Sequence, residues 1–362
     1  IAAALYIFVI DLVMVAEKKG QYRYAIAAGL FALFLGWQHA YDLISVYGIL
    51  GIYFVLKLIR DRRIPKFLLI SIVLVGLLSF SPALYSVLLT TLDPIWKEVL
   101  AQFANAGVYT PNLLHLPILL GLSFVLTIYV VIRRGSQLAR QSDMGLLMVG
   151  WFLITFFLVY LPVDYQIHLL NGWQVPIGIL AAEGLFSSLI PSLEKINVFG
   201  KRIFSVGSKV VPLVFLLLIS LTNIYLFAWR FIEFARLDYP YYLHRAEIEG
   251  LRWLEENGNA DNVVISAEMI GQFIPAYTGK HAFIAHWAQT VGYYEKRAIA
   301  DKFFSDAASE KFRSDIIDQY SIDFIFYGPS ERLLGDVDFD GLDKFSKVFE
   351  MDSVNIFKVA LK

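Results

Sequence analysis

Basic residues before position 230 fall at alternate gaps between long apolar stretches, and this alternation constrains the chain more than any other feature. Eight stretches, at roughly 1–16, 24–38, 42–59, 67–89, 113–132, 144–161, 174–191 and 210–229, are long enough or nearly so to cross a bilayer. A spanning helix takes about 20 apolar residues, with a range near 17–25. Lys18, Lys19 and Arg23 follow the first stretch, and Lys57, Arg60, Arg62, Arg63 and Lys66 the third. Arg133, Arg134 and Arg140 follow the fifth, and Lys195, Lys201, Arg202 and Lys209 the seventh. These are 15 of the 16 basic residues before position 230, and in an alternating bundle all of them share one membrane face. Lys and Arg accumulate in cytoplasmic loops, so the sequence predicts that this face is cytoplasmic. The opposite face then receives the HAYD turn at 39–42, the loop 90–112, the turn 161–176 and everything after position 229. The second and third stretches, separated only by HAYD, also fit a re-entrant hairpin.

The predicted fold class is therefore an α-helical polytopic membrane bundle of about eight transmembrane helices, followed by a small extracytoplasmic α/β domain. The predicted boundaries are 1–229 for the membrane region and 230–362 for the soluble domain, which gives a multi-pass protein of the cell membrane. Composition agrees: 57% of residues are hydrophobic and 17% charged, against about 45–50% and about 25% in soluble domains. Residues 1–229 hold 16 Lys and Arg with 10 Asp and Glu, and residues 230–362 hold 15 with 22. A net-acidic soluble part argues against nucleic acid as a partner. The absence of Cys excludes disulfides, thiolate nucleophiles and Cys-ligated zinc. The chain opens on Ile1 inside an apolar run with no charged segment before it, which leads to the expectation that residue 1 is a break within a longer protein.

After Trp229 the pattern changes. Tyr239-Pro240 and neighbouring tyrosines fit an aromatic belt at the membrane exit. His244–Glu256 has helical spacing and runs into Asn257-Gly258, a C-cap signal. Strands are predicted at 262–267, 281–286, 322–328, 347–351 and 355–361, with helices at about 291–304 and 309–320. Gly271 and the segment 275–279 read as a turn between strands, with Gly279 free to take a positive φ. Strands alternating with helices make a layered α/β domain. Neither a GxGxxG nor a Walker-type run is present, so nothing points to a nucleotide site.

The candidate chemistry lies in the gaps opposite the basic ones. His39, Tyr41 and Asp42 form one cluster. The turn LPVDYQIHLLNGWQVP, 161–176, concentrates Asp164, Tyr165, Gln166, His168, Asn171 and Gln174 without a single Lys or Arg. It reads as the polar floor of a pocket at a membrane surface. The loop after Asp93 predicts a short amphipathic helix, with Ile95, Val99 and Phe103 on one face. Lys97 is its single cation, and an ammonium suits a phosphate. In the soluble domain His286-Trp287 ends a strand, and Trp offers a flat apolar face with one N–H donor for a sugar. Asp11 and Glu183 are carboxylates inside spans, costly against lipid; they read as coupling or cavity groups, or as buried hydrogen-bonded acids. No HExxH or tight His spacing is present, so no metal ligands and no cofactor are assigned, and metal dependence is left open. The GxSxG elbow of serine hydrolases is absent as well.

Four segments carry a family resemblance: LFLGWQHAYDLISVYGIL, YLPVDYQIHLLNGWQVPIGILAA, IPAYTGKHAFIAHWAQT and IDFIFYGPSE. Together they resemble the C-terminal two-thirds of GT-C superfamily membrane glycosyltransferases, in particular proteins similar to dolichyl-phosphate-mannose mannosyltransferases. The resemblance spans roughly residues 24–330. It implies a polyprenyl- or dolichyl-phosphate sugar donor, a glycan, lipid or protein acceptor, and inverting transfer at the extracytoplasmic face. It also implies a catalytic Asp or Glu upstream of these residues, so the base is not assigned within the chain. Lys97 is then the candidate for the carrier phosphate, and His39, Asp42, Gln166, His168 and Asn171 for orienting the sugar. Related sequences carry two arginines where this one has Ile167-His168, which weakens any phosphate-binding role for that turn. A membrane transporter or flippase of a lipid-linked or small substrate, and a scaffold whose outer domain binds a partner, are the competing readings.

Overall fold

In lipid every backbone polar group has to find its partner within the protein, so long apolar segments close their own hydrogen bonds as helices. The computed structural model describes residues 2–104, 109–163, 165–195, 197–198, 201–202, 207–342 and 344–360; side chains at 103–104, 194, 197–198, 201–202 and 207–209 lie outside the description. Asp164 and the side chain of Phe103, both singled out above, fall outside it. The chain divides into two compact units, Ile1–Asp93 with Ala104–Ile224, and Pro94–Phe103 with Tyr225–Lys362.

The first unit is helical. It contains α1 (Ala2–Lys19), α2 (Tyr22–Gln38), α3 (Asp42–Asp61) and α4 (Lys66–Leu92). The next helix, α5 (Pro94–Ala104), falls almost wholly in the second unit. The first unit resumes with α6 (Leu116–Leu119), α7 (Gly121–Gln141), α8 (Asp143–Leu158), α9 (Gln174–Gly184), a π turn at Leu185–Leu189 and α10 (Ile190–Glu194). A minimal hairpin, β1 (Asn197–Val198) with β2 (Lys201–Arg202), precedes α11 (Gly207–Ala235). By length and composition α3, α4, Gln174–Leu193 and Val210–Ala235 can cross a membrane. The pair Leu113–Leu119 and Gly121–Gln141, bent by 118°, makes up to five such spans among the described residues. The expectation of about eight also counted α1, α2 and α8. Helix α1 carries Asp11, Glu17, Lys18 and Lys19, while α2 has 17 residues and α8 has 16.

Association in lipid relies on close packing and small residues, because lipid tails are as apolar as leucine. Helix α2 meets α4 through Gly29 and Gly36: a Cβ there would come within 2.6 Å of Leu78 and 2.7 Å of Pro82 respectively. Polar groups fasten the other helices. Lys57 on α3 reaches Glu17 on α1 and Asp143 on α8, each at 2.8 Å, and Arg60 reaches Asp143 at 2.5 Å and Asp61 at 2.7 Å. Lys57 and Glu17 are the most shielded members, and removing one of them leaves a partner charge uncompensated, whereas the more exposed Asp143 is screened by solvent. Glu183 is ion-paired too, with Arg134 on α7 at 2.7 Å. Asp11, by contrast, is exposed on α1.

The second unit is a layered α/β structure. After α12 (Arg245–Glu256) come β3 (Val263–Ile265), α13 (Glu268–Gly271), α14 (Ile274–Thr278) and β4 (His281–Ala282). They are followed by α15 (Tyr293–Phe303), α16 (Glu310–Tyr320), β5 (Ile322–Tyr327), α17 (Pro329–Arg332), β6 (Phe345–Met351) and β7 (Val354–Val359). The sheet order is β4-β3-β5-β7-β6. Strands β4, β3 and β5 are parallel to one another, and β7 runs antiparallel to both β5 and β6. Side chains on a strand alternate between faces, and both faces here are apolar. On β5, Phe324 and Phe326 join a core with Leu251, Leu254, Ile270 and Ile356. Ile325 and Tyr327 join the opposite core with Phe303, Phe304, Phe339 and Phe357. Each of the five predicted strands overlaps one in the sheet. The segment read as a turn, 275–279, is instead the end of α14, capped by Gly279 at φ 65°.

Candidate functional site

Two polar turns of the first unit converge. One is the tight link between α2 and α3. The other joins α8 to α9, with a 3-10 turn at Gln166–Leu170. Its anchor is Trp173, buried among Phe124, Phe152 and Phe156 at ring separations of 5.4, 5.6 and 6.0 Å. The Trp173 indole N–H donates to the Phe152 carbonyl at 3.1 Å. Gly172 makes the final bend at φ 80°, where a Cβ would strike the Tyr6 ring at 3.0 Å. The conformation and the crowding therefore both select glycine. Gln166 ties the turn to a second loop: its amide donates to the Leu161 carbonyl at 2.6 Å and accepts from the Thr110 N–H at 3.1 Å.

On this base the sequence-predicted residues assemble. The His39 ring pairs through Nδ1 with the Tyr41 hydroxyl at 2.6 Å. The Tyr41 ring stacks on His168 at 4.7 Å and lies 5.8 Å from Tyr165. At the first position of α3, Asp42 is fully buried, and its Oδ1 accepts from the Asn171 amide at 3.1 Å. His39, Tyr41, Asp42, His168 and Asn171 thus form one cluster, with Gln166 as its support. Lys97, His286 and Trp287 belong to the second unit. There Lys97 is exposed on α5, and His286 and Trp287 occupy the loop after β4 with their rings 5.6 Å apart. The His286 Nδ1 accepts from the Ala288 N–H at 3.2 Å.

Sequence reasoning missed what lies beneath Asp42. Among the described residues its second oxygen, Oδ2, has no hydrogen-bond partner of good geometry, and neither do the buried Tyr6 hydroxyl, Ser45 hydroxyl and Trp151 indole N–H. Ser45 neighbours the Tyr6 hydroxyl, Asp42 is near enough for its charge to act on that hydroxyl, and the Tyr6 ring stacks on Trp151 at 5.9 Å. Buried polar groups in proteins are nearly always satisfied, and unsatisfied ones call for a water, an ion or a functional role. Three such atoms near one carboxylate, with its own Oδ2 as a fourth, mark the place as unusual. Ser45 was legible, three residues beyond Asp42 and hence on the same helix face; Tyr6, from a distant helix, left no signal. Chemically the cluster offers a half-exposed aromatic and imidazole shelf over a carboxylate-held amide. Such a shelf suits the C–H face of a sugar ring, with polar groups left to meet its hydroxyls. Among the described residues no three His, Asp or Glu side chains converge as metal ligands do.

No family model matches the sequence, and no curated protein matches it. Among solved structures, the chain is similar to archaeal oligosaccharyltransferases of Archaeoglobus fulgidus. The crystal structure tethered with an acceptor peptide containing the NVT sequon is 12% identical, with a TM-score of 0.48 over 90% of this chain and 51% of that one. The crystal structure of the apo form is 13% identical, with a TM-score of 0.48 over 96% and 55%. The oligosaccharyltransferase AglB, in complex with an inhibitory peptide and a dolichol-phosphate, is 14% identical, with a TM-score of 0.38 over 90% and 45%. The chain spans about half the length of the structures it matches.

Proposed function

We propose that this chain is a membrane glycosyltransferase that moves a sugar from a polyprenyl- or dolichyl-phosphate donor to an acceptor at the extracytoplasmic face. The observation that carries the proposal is the buried Asp42 carboxylate holding the Asn171 amide beneath the Tyr41–His168 shelf. A polyprenyl-phosphate sugar already carries a leaving group, so the protein's task is mainly to orient the sugar and the incoming hydroxyl. In this reading the sugar rests on Tyr41 and His168, and His39 and the Asn171 carbonyl oxygen meet its hydroxyls. Asp42 is a positioning residue, which acts by fixing Asn171. Lys97, in the second unit, offers a counter-charge for the carrier phosphate, and His286 with Trp287, in the same unit, offers a surface for sugar or acceptor. The basic turns face the cytoplasm, and the shelf and the second unit face outside.

The experiment is a transfer assay on the full-length protein in vesicles, with a panel of polyprenyl-phosphate sugars. Asn171→Ala and Asp42→Asn are each expected to lower kcat/KM by about 10–100-fold, the scale of a hydrogen bond to a charged group. The double variant is expected to lose little more than either single one, because the two residues act as a unit. Additive losses would remove Asp42 from its positioning role. Wild-type transfer by both single variants, in protein that stays monodisperse, would remove the shelf from the site.

A further inference from the structure

Elsewhere in the first unit, a cavity of about 850 Å³ opens at the turn between α3 and α4. Four cations line it, Lys57, Arg60, Arg63 and Lys66, against the three carboxylates Glu17, Asp61 and Asp143. The carboxylates are engaged. Glu17 binds Lys57 and accepts from the Tyr53 hydroxyl, Asp61 binds Arg60, and Asp143 binds both Lys57 and Arg60. Lys57 and Arg60 are engaged in turn, the latter also donating to the Ala139 carbonyl. Arg63 and Lys66 are the surplus: both are exposed, and neither has an acidic partner among the described residues.

The backbone adds to that surplus. Helix α4 begins at Lys66 with no side-chain cap from Pro65 and no acidic residue in its first turn. Its first N–H groups are therefore without partners inside the helix, and Phe67 and Leu68, which carry two of them, line the cavity. A helix start of this kind favours an anion. The mouth is apolar as well as basic. Ile64 lines it and is 59% exposed, and Leu69, Ile70, Val73 and Leu77 continue an exposed apolar face along α4.

We propose that this cavity binds a phosphate-bearing anion, namely the headgroup phosphate of an anionic lipid whose acyl chains lie along the exposed face of α4. Arg63 and Lys66 neutralise the phosphate, and the first-turn N–H groups of α4 direct it. With four cations against three carboxylates, the lining has one positive charge to spare, which suits a phosphodiester monoanion. The engaged carboxylates disfavour more highly charged phosphates. This inference does not depend on the proposed transferase activity, and the cavity shares no lining residue with the shelf.

The test is thermal unfolding of the full chain in neutral detergent, titrated with phosphatidylglycerol, with phosphatidylcholine, or with inorganic phosphate. Phosphatidylglycerol is expected to stabilise the wild type saturably and phosphatidylcholine is not. In the Arg63→Gln/Lys66→Gln variant the midpoint concentration is expected to rise about thirtyfold, about fivefold for each cation. Equal stabilisation by inorganic phosphate, lost in the variant, would keep the anion site and assign it to a soluble phosphate. No stabilisation by either anion, or a response that the variant retains in full, would overturn the proposal. Both side chains are exposed and outside the ion-pair network, so the variant is expected to fold, and its monodispersity is checked first.

Discussion

Glu331 is the acid of the GPSE segment, and the fold gives it a structural task. It is fully buried, with Oε1 accepting from the Ala267 N–H at 2.6 Å and Oε2 from the Gly328 N–H at 2.8 Å. It thereby clips the loop after β3 to the loop after β5. Burial pushes its carboxyl up to about 7, more than the backbone hydrogen bonds pull it down, and nearby Glu247 adds to the rise. Because the folded state holds this proton more tightly than the unfolded chain, stability is complete below the ordinary carboxyl range. It falls as pH rises through about 7. Unfolding of the second unit in the full chain, followed from pH 4 to 8, is expected to lose on the order of 1–3 kcal/mol across that window. Glu331→Gln is expected to flatten the slope. At this scale the sequence was partly legible. Asp42 and Asn171 were identified by residue type and by their place in polar gaps, whereas the hydrogen bond between them joins residues far apart in sequence. Gln166 was read as a substrate contact, and its amide bridges the Leu161 carbonyl and the Thr110 N–H of a different loop, a pairing that spacing along the chain does not reveal.

Among the elements, α5 is the one whose surroundings the sequence did not disclose. Its amphipathic spacing was readable, but that spacing fits a membrane surface as well as a protein one. In the structure it packs within the second unit through Gln102, which is buried. The Gln102 amide donates to the carbonyls of Trp287 at 3.4 Å and Thr290 at 3.1 Å, and accepts from the Tyr293 N–H at 3.0 Å. One side chain thus fixes the path of the loop that carries His286 and Trp287. Gln102→Ala strands those backbone groups, at a cost on the order of 1–3 kcal/mol. Hydrogen exchange of residues 285–293 in the full chain is expected to speed up accordingly, while β5 and β7 keep their protection. Unchanged exchange would show that the loop holds its shape without α5. The strands were legible because period-2 apolar runs between turn residues admit few alternatives. The reversal of 275–279 from turn to helix shows the weakness of turn chemistry as a guide: Pro at the first helical turn and Gly at the end also frame a short helix.

For the molecule as a whole, the alternation of basic gaps is the most testable property. Native Cys is absent, so single introduced thiols report accessibility without background. Arg62→Cys and Arg140→Cys are expected to resist an impermeant maleimide added to intact cells, and Asp261→Cys in the second unit is expected to react. The reverse pattern would invert the topology and with it the proposed compartment of the sugar shelf. Fold class was legible because hydrophobicity and charge bias act over whole segments. The number of spans was less so, since α1, α2 and α8 sit at the limit where charge and length stop deciding.

The aromatic packing around Trp173 bears on how the shelf above it receives a guest. A ring wedged between three phenylalanines, with its only donor spent on a backbone carbonyl, leaves the α8–α9 turn little room to rearrange. The loss of freedom that recognition usually exacts from a loop was therefore incurred when the helices packed. If the shelf takes a sugar as proposed, it would discriminate by shape on first contact, with preferences set less by the guest than by the glycine and tryptophan that froze it.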